Sequence, residues 1–342
     1  MSTSHWPPGT ATGIGSLPGT DPWEATRTVA GELPELPYLP ELPDRGVGAD
    51  LLGRTAALLV DLAVEVMPSG YRVAPRPGRE HRRGVDLLRT DLDALDEALE
   101  TTGAEQVKVQ AAGPWTLAAG IELRTGHRVL TDRGARREFA ASLTEGLLAH
   151  VAEVGARTGA RVIVQLDEPG LPAVLAGSLP TASGFGNVAA VPAPEAEQVL
   201  REVIEALPAP VVVHCCAPGA PIALLRAAGA GALALDARLL GTDTTNLDAV
   251  GEAWDAGLPL LLGLVPAMVL AGPEPTLREL ARPALDLADR VGFARARLAE
   301  LVVPTPTCGL AGAAPDWAVR ATVLSRELGR AFVEPPESWA AP

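Results

Sequence analysis

Two hydrophobic patterns alternate along most of this 342-residue chain. Short, nearly continuous apolar runs are typical of buried strands, and longer stretches with apolar residues every three or four positions are typical of helices. Residues 137–158 show the helical spacing at Phe139, Leu143 and Leu147. Eight runs predict strands, at residues 11–17, 70–75, 106–113, 161–168, 210–216, 232–237, 259–266 and 301–310.

Strands that are each followed by a helix predict a parallel sheet covered by helices on its outer side. Eight such units favour a closed barrel, so the predicted fold class is α/β, a single (β/α)8 TIM barrel spanning residues 1–342. The alternative is an open, doubly wound sheet. It would carry a phosphate-binding G-x-G-x-x-G turn, but Pro18 stands where the third glycine should fall.

The segment 32–43 (ELPELPYLPELP) interrupts this alternation with closely spaced prolines. Proline removes a backbone donor and is excluded from helix interiors and central strands. We therefore expect an extended excursion on the surface of the barrel.

The excess of acidic over basic residues excludes some classes of binding partner. The chain carries a formal net charge of -14 at pH 7, which repels nucleic-acid phosphates and anionic lipid. No basic residue precedes an apolar run at residues 1–8, and no apolar stretch is long enough to span a bilayer. We expect a cytoplasmic protein that binds neither nucleic acid nor membrane.

Chemically versatile residues collect at one end of the predicted strands. In a parallel barrel the carboxyl ends of all strands meet at the same rim, where active sites form. The residues at this rim are Ser16, Asp167, Glu168, His214, Cys216, Asp236 and Cys308.

His214, Cys216 and Cys308 predict a metal site. Side chains alternate along a strand, so His214 and Cys216 face the barrel interior, while Cys215 faces the helices. The Cβ atoms of His214 and Cys216 are expected to lie roughly 7 Å apart. Cys308 can add a second thiolate and Asp236 an oxygen, and this mixture of donors favours Zn²⁺. Asp236 has two alternative roles, as a helix N-cap or as a partner that orients His214.

Such a site favours one kind of chemistry. Two thiolates and a carboxylate neutralise the charge of zinc, so the metal is a weak generator of hydroxide. The same ligands still allow zinc to lower the pKa of a bound substrate thiol and to activate it as a nucleophile. The sequence therefore favours thiol activation over hydrolysis.

Four segments, in order, resemble the signatures of the catalytic barrel of cobalamin-independent methionine synthase: residues 14–18 (IGSLP), 165–169 (QLDEP), 214–216 (HCC) and 307–309 (TCG). The resemblance spans about residues 11–330 and implies zinc-dependent methyl transfer to homocysteine, forming methionine. It implies that His214, Cys216 and Cys308 bind zinc, and that Asp236 falls where the family has a glutamate ligand.

The resemblance also assigns residues to the substrate. Ser16 matches a position whose backbone binds the homocysteine carboxylate, and Asp167 matches the acid that binds its ammonium group. Asp167 and Glu168 form the acidic pair that we expect to be catalytic, and Glu41 is expected to lean into the mouth as a second acid.

The chain departs from the family pattern at the methyl donor. Gly120 lies near the place of a tryptophan that stacks on the pterin, and residues 263–268 contain no acid histidine. We also expect only the catalytic barrel of the classical two-barrel enzyme to be present. The donor is therefore open between 5-methyltetrahydrofolate and a methylcorrinoid, free or on a carrier protein.

Two other functions remain as alternatives. A metal-free enzyme like uroporphyrinogen decarboxylase shares this barrel type but needs clustered arginines, and the early loops offer only Arg45 and Arg54. A non-catalytic zinc- or thiol-binding protein would be expected to use CxxC pairs, and the sequence has none.

Overall fold

The computed structural model describes residues 6–241, 244–269, 272–335 and Trp339. Residues 1–5, which belong to the segment that lacks a signal-peptide pattern, lie outside the described part. The strands are β1 Ala63–Met67, β2 Gly70–Ala74, β3 Gln106–Ala112, β4 Ile121–Glu122, β5 Arg161–Asp167, β6 Val211–Cys215, β7 Ala232–Asp236, β8 Leu260–Val265 and β9 Val302–Pro306. The helices are α1 Pro22–Glu32, α2 Leu51–Ala56, α3 Arg79–Thr102, α4 Pro114–Gly120, α5 Arg133–Thr158, α6 Leu171–Ala176, α7 Ala193–Ala206, α8 Ile222–Ala227, α9 Thr244–Asp255, α10 Leu277–Val291, α11 Leu298–Leu301 and α12 Pro315–Val333.

Six parallel strands form the main part of the barrel, in the order β3-β5-β6-β7-β8-β9. The order along the sheet follows the order along the chain, as expected when helices connect neighbouring parallel strands. All six coincide with predicted strands. Their carboxyl ends therefore meet at one rim, the mouth of the barrel.

Two extended segments, residues 10–17 and 37–42, close the ring between β9 and β3. The Thr12 amide donates to the carbonyl of Pro304 at 3.3 Å, Leu17 donates to Glu41 at 2.9 Å, and Leu39 donates to Lys108 at 2.9 Å. Pairing is too irregular for full strands, but the hydrogen bonds run around the whole ring. The predicted barrel fold is confirmed, while a single domain over residues 1–342 stays a prediction.

The surface excursion predicted for residues 32–43 is wrong. Leu33, Leu36, Tyr38, Leu39 and Leu42 are each exposed by no more than 1%. The segment occupies the position of the second strand in the barrel. The sequence pattern had assigned this position to residues 70–75. The prolines are tolerated because Leu39 and Glu41 supply the amide donors, while Pro37 contributes only a carbonyl, which accepts from Lys108.

The strand predicted at residues 70–75 exists but lies outside the barrel. β2 pairs antiparallel with β1 and parallel with β4, forming a small separate sheet. Four of its five residues are partly exposed, unlike the mostly buried strands of the barrel.

Alternation along the strands separates two buried layers. The apolar interior of the barrel is a cluster of Trp6, Ile14, Leu36, Ile163, Val212, Ala232, Ala234, Leu261 and Val303. Intervening residues pack against the helices, and Cys215 belongs to that outer layer, as predicted. The same alternation turns His214 inward. Among the described residues, no helix is both long and apolar enough to span a membrane.

His150 on α5 makes stability sensitive to acid. Burial, reinforced by the positive charge of Arg54, lowers its pKa to about 4. In the unfolded chain a histidine titrates near 6.5, so between these two values only the unfolded chain takes up the proton. The free energy of unfolding should therefore fall by about 3 kcal/mol as the pH drops from about 7 to about 4.

Replacing His150 by methionine should remove this contribution. Denaturant unfolding at pH 7 and pH 4.5 should give a smaller loss of stability for His150→Met than for the unchanged protein. Other titrating groups are common to both proteins and cancel in the comparison. Equal losses in the two proteins would show that His150 is not the acid-sensitive group.

Candidate metal centre and substrate pocket

Three potential metal ligands converge at the mouth of the barrel. His214 lies near the end of β6, Cys216 follows that strand directly, and Cys308 follows β9. One ligand atom from each lies within 4.8 Å of the other two. The two sulfurs are 3.1 Å apart and both cysteines are free. The structure therefore brings together the His-x-Cys pair and the distant cysteine.

One ring nitrogen of His214 is hydrogen-bonded, and the other has no hydrogen-bond partner among the described residues. Nδ1 lies 2.6 Å from Asp167 Oδ1, which fixes the ring. Nε2 is buried and has no hydrogen-bond partner among the described residues. Buried polar atoms are nearly always paired, so an orphaned ring nitrogen beside two thiols fits a metal ligand.

The two thiols lie within hydrogen-bonding distance of each other. The hydrogen bond between them lowers the pKa of Cys308 to about 6, with a further contribution from His214, and raises the pKa of Cys216 above its usual range. A nitrogen and two sulfurs suit Zn²⁺, which prefers these borderline-soft donors. The residues present therefore fit the metal that the sequence predicts.

Asp236 does not join this cluster. Its Oδ1 accepts from the Arg238 amide at 2.9 Å, capping the turn at residues 237–239. Its Oδ2 also pairs with the Arg238 guanidinium at 2.7 Å. Of the roles that the sequence left open, the structure shows the N-cap. Asp167 is the residue that orients His214.

A cavity of about 260 Å³ opens beside the three ligand residues. It brings together most of the predicted site, including residues from both irregular segments of the ring. Its lining includes Ser16, Glu41, Asp167, His214, Cys216 and Cys308. Glu168 and Asp236 do not line it.

Glu41 adds a buried carboxyl group to this cavity. Burial raises its pKa to about 7, Arg54 opposes the rise and Asp167 adds to it. Its Oε1 is buried without a partner among the described residues. Two acidic groups, Glu41 and Asp167, thus face one small cavity, an arrangement that favours a positively charged group of a ligand.

Glu168 has a structural position. Its carboxylate accepts from the Trp115 amide at 2.9 Å, and from the Thr116 amide and hydroxyl at 2.8 Å each, at the start of α4. A Cβ at Gly113 would lie 2.3 Å from Glu168 Oε1, so this position needs glycine. The expected catalytic role of Glu168 is not supported by where it lies.

Sequence reasoning missed Lys108 and Gln165 as site residues. Both are fully buried inside the barrel and connect to Asp167 through hydrogen bonds. The available signal was a lone lysine, the only one in the chain, within the apolar run 106–113. Its position two residues from Gln110 places it on the inward side of the strand.

Comparison with known proteins agrees with this arrangement. A family model described as "Cobalamin-independent synthase, Catalytic domain" matches residues 9–330. The comparison with curated protein sequences gave no match.

Two solved structures share the fold. One is a B12-independent methionine synthase from Shewanella sp. W3-18-1 in complex with selenomethionine, with 13% identity, a TM-score of 0.58, and coverage of 96% of this chain and 98% of that chain. The other is a methyltransferase from Methanosarcina mazei, with 17% identity, a TM-score of 0.58, and coverage of 94% of this chain and 93% of that chain.

Proposed function

Because this chain belongs to the family of cobalamin-independent synthase catalytic domains, we propose that it transfers a methyl group to the thiol of homocysteine and so forms methionine. Zinc is the proposed metal, and His214, Cys216 and Cys308 are its proposed ligands. The observation that carries the proposal is the orphaned Nε2 of His214 beside two free thiols at the edge of a small acidic cavity.

Zinc, when bound, lowers the pKa of a coordinating thiol and supplies a thiolate at neutral pH. The residues of the chain prepare the site for it. Asp167 holds Nδ1 of His214, so that Nε2 presents its lone pair. The low pKa of Cys308 gives a sulfur that loses its proton readily.

The amino-acid part of homocysteine is proposed to bind between Asp167, Glu41 and Ser16. Both hydrogen bonds that Asp167 accepts use Oδ1, which leaves Oδ2 for a substrate ammonium group. Glu41 faces the same cavity and adds negative charge when its carboxyl group is ionised. Ser16 lines the same cavity, and its backbone amide is proposed to bind the carboxylate.

The decarboxylase alternative is weakened by the two arginines it would need. Asp91 is almost fully buried and holds Arg45 through two hydrogen bonds of 2.7 and 2.9 Å. The same carboxylate also pairs with Arg54. Both guanidinium groups are therefore held by the same buried carboxylate and are not free to bind a polyacidic substrate. A purely zinc-binding protein would not need the acidic cavity.

The methyl donor is proposed to reach the site from outside the barrel. The cavity has room for an amino acid rather than for a pterin or a corrin as well. Exposed apolar side chains follow the carboxyl ends of several strands and so surround the mouth; among them are Phe185, Leu239, Met268 and Val269. We favour a methylcorrinoid, free or on a carrier protein, over 5-methyltetrahydrofolate, and the cytoplasm as the location.

A methyl-transfer assay tests the proposal. Zinc-loaded protein should form methionine from homocysteine and methylcobalamin, and 5-methyltetrahydrofolate in mono- and polyglutamate forms should serve poorly or not at all. Omitting homocysteine should abolish the product. Zinc-loaded protein that forms no methionine from any of these donors would contradict the proposed function, and efficient use of methyltetrahydrofolate would contradict the proposed donor.

A further inference from the structure

The only lysine of the chain lies at the centre of the barrel. Lys108 on β3 is 0% exposed, and its ammonium group lies 5.1 Å from the centroid of the Tyr38 ring. Its Nζ donates to the Ile14 carbonyl at 3.0 Å and to Gln165 Oε1 at 2.7 Å. A buried amine is costly in free energy, so a function is expected to accompany it.

Lys108 fixes the orientation of the Gln165 amide. Gln165 Nε2 donates to the Ile14 carbonyl at 2.8 Å and to Asp167 Oδ1 at 2.7 Å. A flipped amide would set its oxygen against these two acceptors and its nitrogen against the Lys108 side chain, which in its ammonium form has only donors to offer. Three unfavourable contacts exclude that orientation, so the N–H groups of Gln165 must point to Asp167.

The direction of the hydrogen bond from Gln165 to Asp167 determines which nitrogen of His214 donates to Asp167. Asp167 Oδ1 accepts from Gln165, and the carboxylate form of Asp167 has only acceptors to offer. His214 Nδ1 lies 2.6 Å from the same oxygen, so Nδ1 must be the donor. A neutral imidazole that donates through Nδ1 has its lone pair on Nε2.

We propose that Lys108 is a positioning residue for the metal centre. Through Gln165 and Asp167 it sets which nitrogen of His214 carries the proton, and it thereby keeps Nε2 available as a ligand. The inference rests on the proposed function for the identity of the metal, but the direction of the hydrogen bonds stands on the geometry alone.

The two hydrogen bonds that Lys108 donates do not require it to be charged, although only the ammonium form, which lacks a lone pair, adds to the exclusion of the flipped amide. Burial lowers its pKa to about 7, and Asp167 and Glu41 oppose the change. An ammonium group has three N–H bonds and a neutral amine has two, so both forms can donate to Ile14 and Gln165. A methionine of similar length would fill the space but donate to neither.

Nuclear magnetic resonance of the zinc-free, full-length protein tests the proposal. With ¹⁵N-labelled histidine, His214 should show the Nδ1–H tautomer in the unchanged protein and a mixture of tautomers in Lys108→Met. Zinc affinity should fall roughly 10-fold in the same variant, at the lower end of the effect of removing a partner that orients a metal ligand. Because the sequence has one lysine, ¹⁵N-labelled lysine gives a single side-chain signal, and slow exchange of its protons with solvent would report that Lys108 is hydrogen-bonded.

Gln110→Met is the matched control. Gln110 faces inward on the same strand, but its amide donates to the Leu39 carbonyl and not to this chain of hydrogen bonds. It should leave both the tautomer and the zinc affinity unchanged. If Lys108→Met does not fold, Lys108→Met/Gln165→Met removes the amine and the amide together and should show the same mixture of tautomers.

An unchanged tautomer and an unchanged zinc affinity in folded Lys108→Met would overturn the proposal. Because the tautomer is observed without zinc or substrate, this result is independent of whether methyl transfer is found. Failure of the unchanged protein to bind zinc would instead contradict the proposed function.

Discussion

Serine at position 216 or 308 is expected to abolish stoichiometric zinc binding and, with it, methyl transfer. The two sulfurs lie 3.1 Å apart and face the orphaned nitrogen of His214. A serine hydroxyl keeps its proton at neutral pH and is a poor ligand for zinc, so each variant loses one of three protein ligands. We expect at least a ~100-fold weaker zinc affinity and no methionine above background.

Metal analysis of the purified variants and the homocysteine assay measure these effects. Cys215→Ala is the matched control, because this neighbouring thiol packs in the outer apolar layer and should be irrelevant to the metal. It should keep one zinc per chain and full activity, with a loss of stability of about 1 kcal/mol. Full zinc occupancy in both serine variants would remove the basis of the metal centre.

Asp167→Asn is expected to lower kcat/KM for homocysteine by 100-fold or more, equivalent to about 3 kcal/mol. The substitution removes the negative charge proposed to bind the substrate ammonium group. It also places an amide against Gln165 and His214, where only one of its two ends can accept hydrogen bonds. Most of the effect should appear as a higher KM, accompanied by weaker zinc binding.

The adjacent acid provides the comparison. Glu168→Gln leaves the cavity intact but replaces a carboxylate that accepts three hydrogen bonds with a group that has one oxygen. The free energy of unfolding should fall by about 1–3 kcal/mol, while KM for homocysteine changes little. Kinetic parameters and denaturant midpoints of both variants decide the matter. A larger rise in KM for Glu168→Gln than for Asp167→Asn would reverse the proposed roles.

The sequence was sufficient to predict those parts of the fold in which apolar residues form continuous runs or side chains alternate with a period of two. Six barrel strands are nearly continuous apolar runs, and the two-residue period of a strand places His214 inward and Cys215 outward without further information. Cys308 could be assigned to the same rim because parallel strands end together. No property of residues 308 and 216 alone gives their 3.1 Å separation.

The remainder depends on contacts that have no local signature. Prolines in residues 32–43 suggested a surface segment, because the sequence does not show that the irregular ring needs amide donors only from Leu39 and Glu41. Glu168 is paired with groups more than 50 residues away on α4. The prediction of Asp236 as a metal ligand could have been questioned from the sequence, because Arg238 lies two residues further on and competes for its carboxylate.

The burial of the only lysine also affects the covalent chemistry of the molecule. Acylating electrophiles that target primary amines find no side-chain amine on the folded surface, since Lys108 is 0% exposed. Conjugation at a side-chain amine must therefore wait until the barrel opens. The extent of acylation at Lys108 would therefore measure how often the barrel opens. One residue is enough to follow the unfolding of the whole barrel.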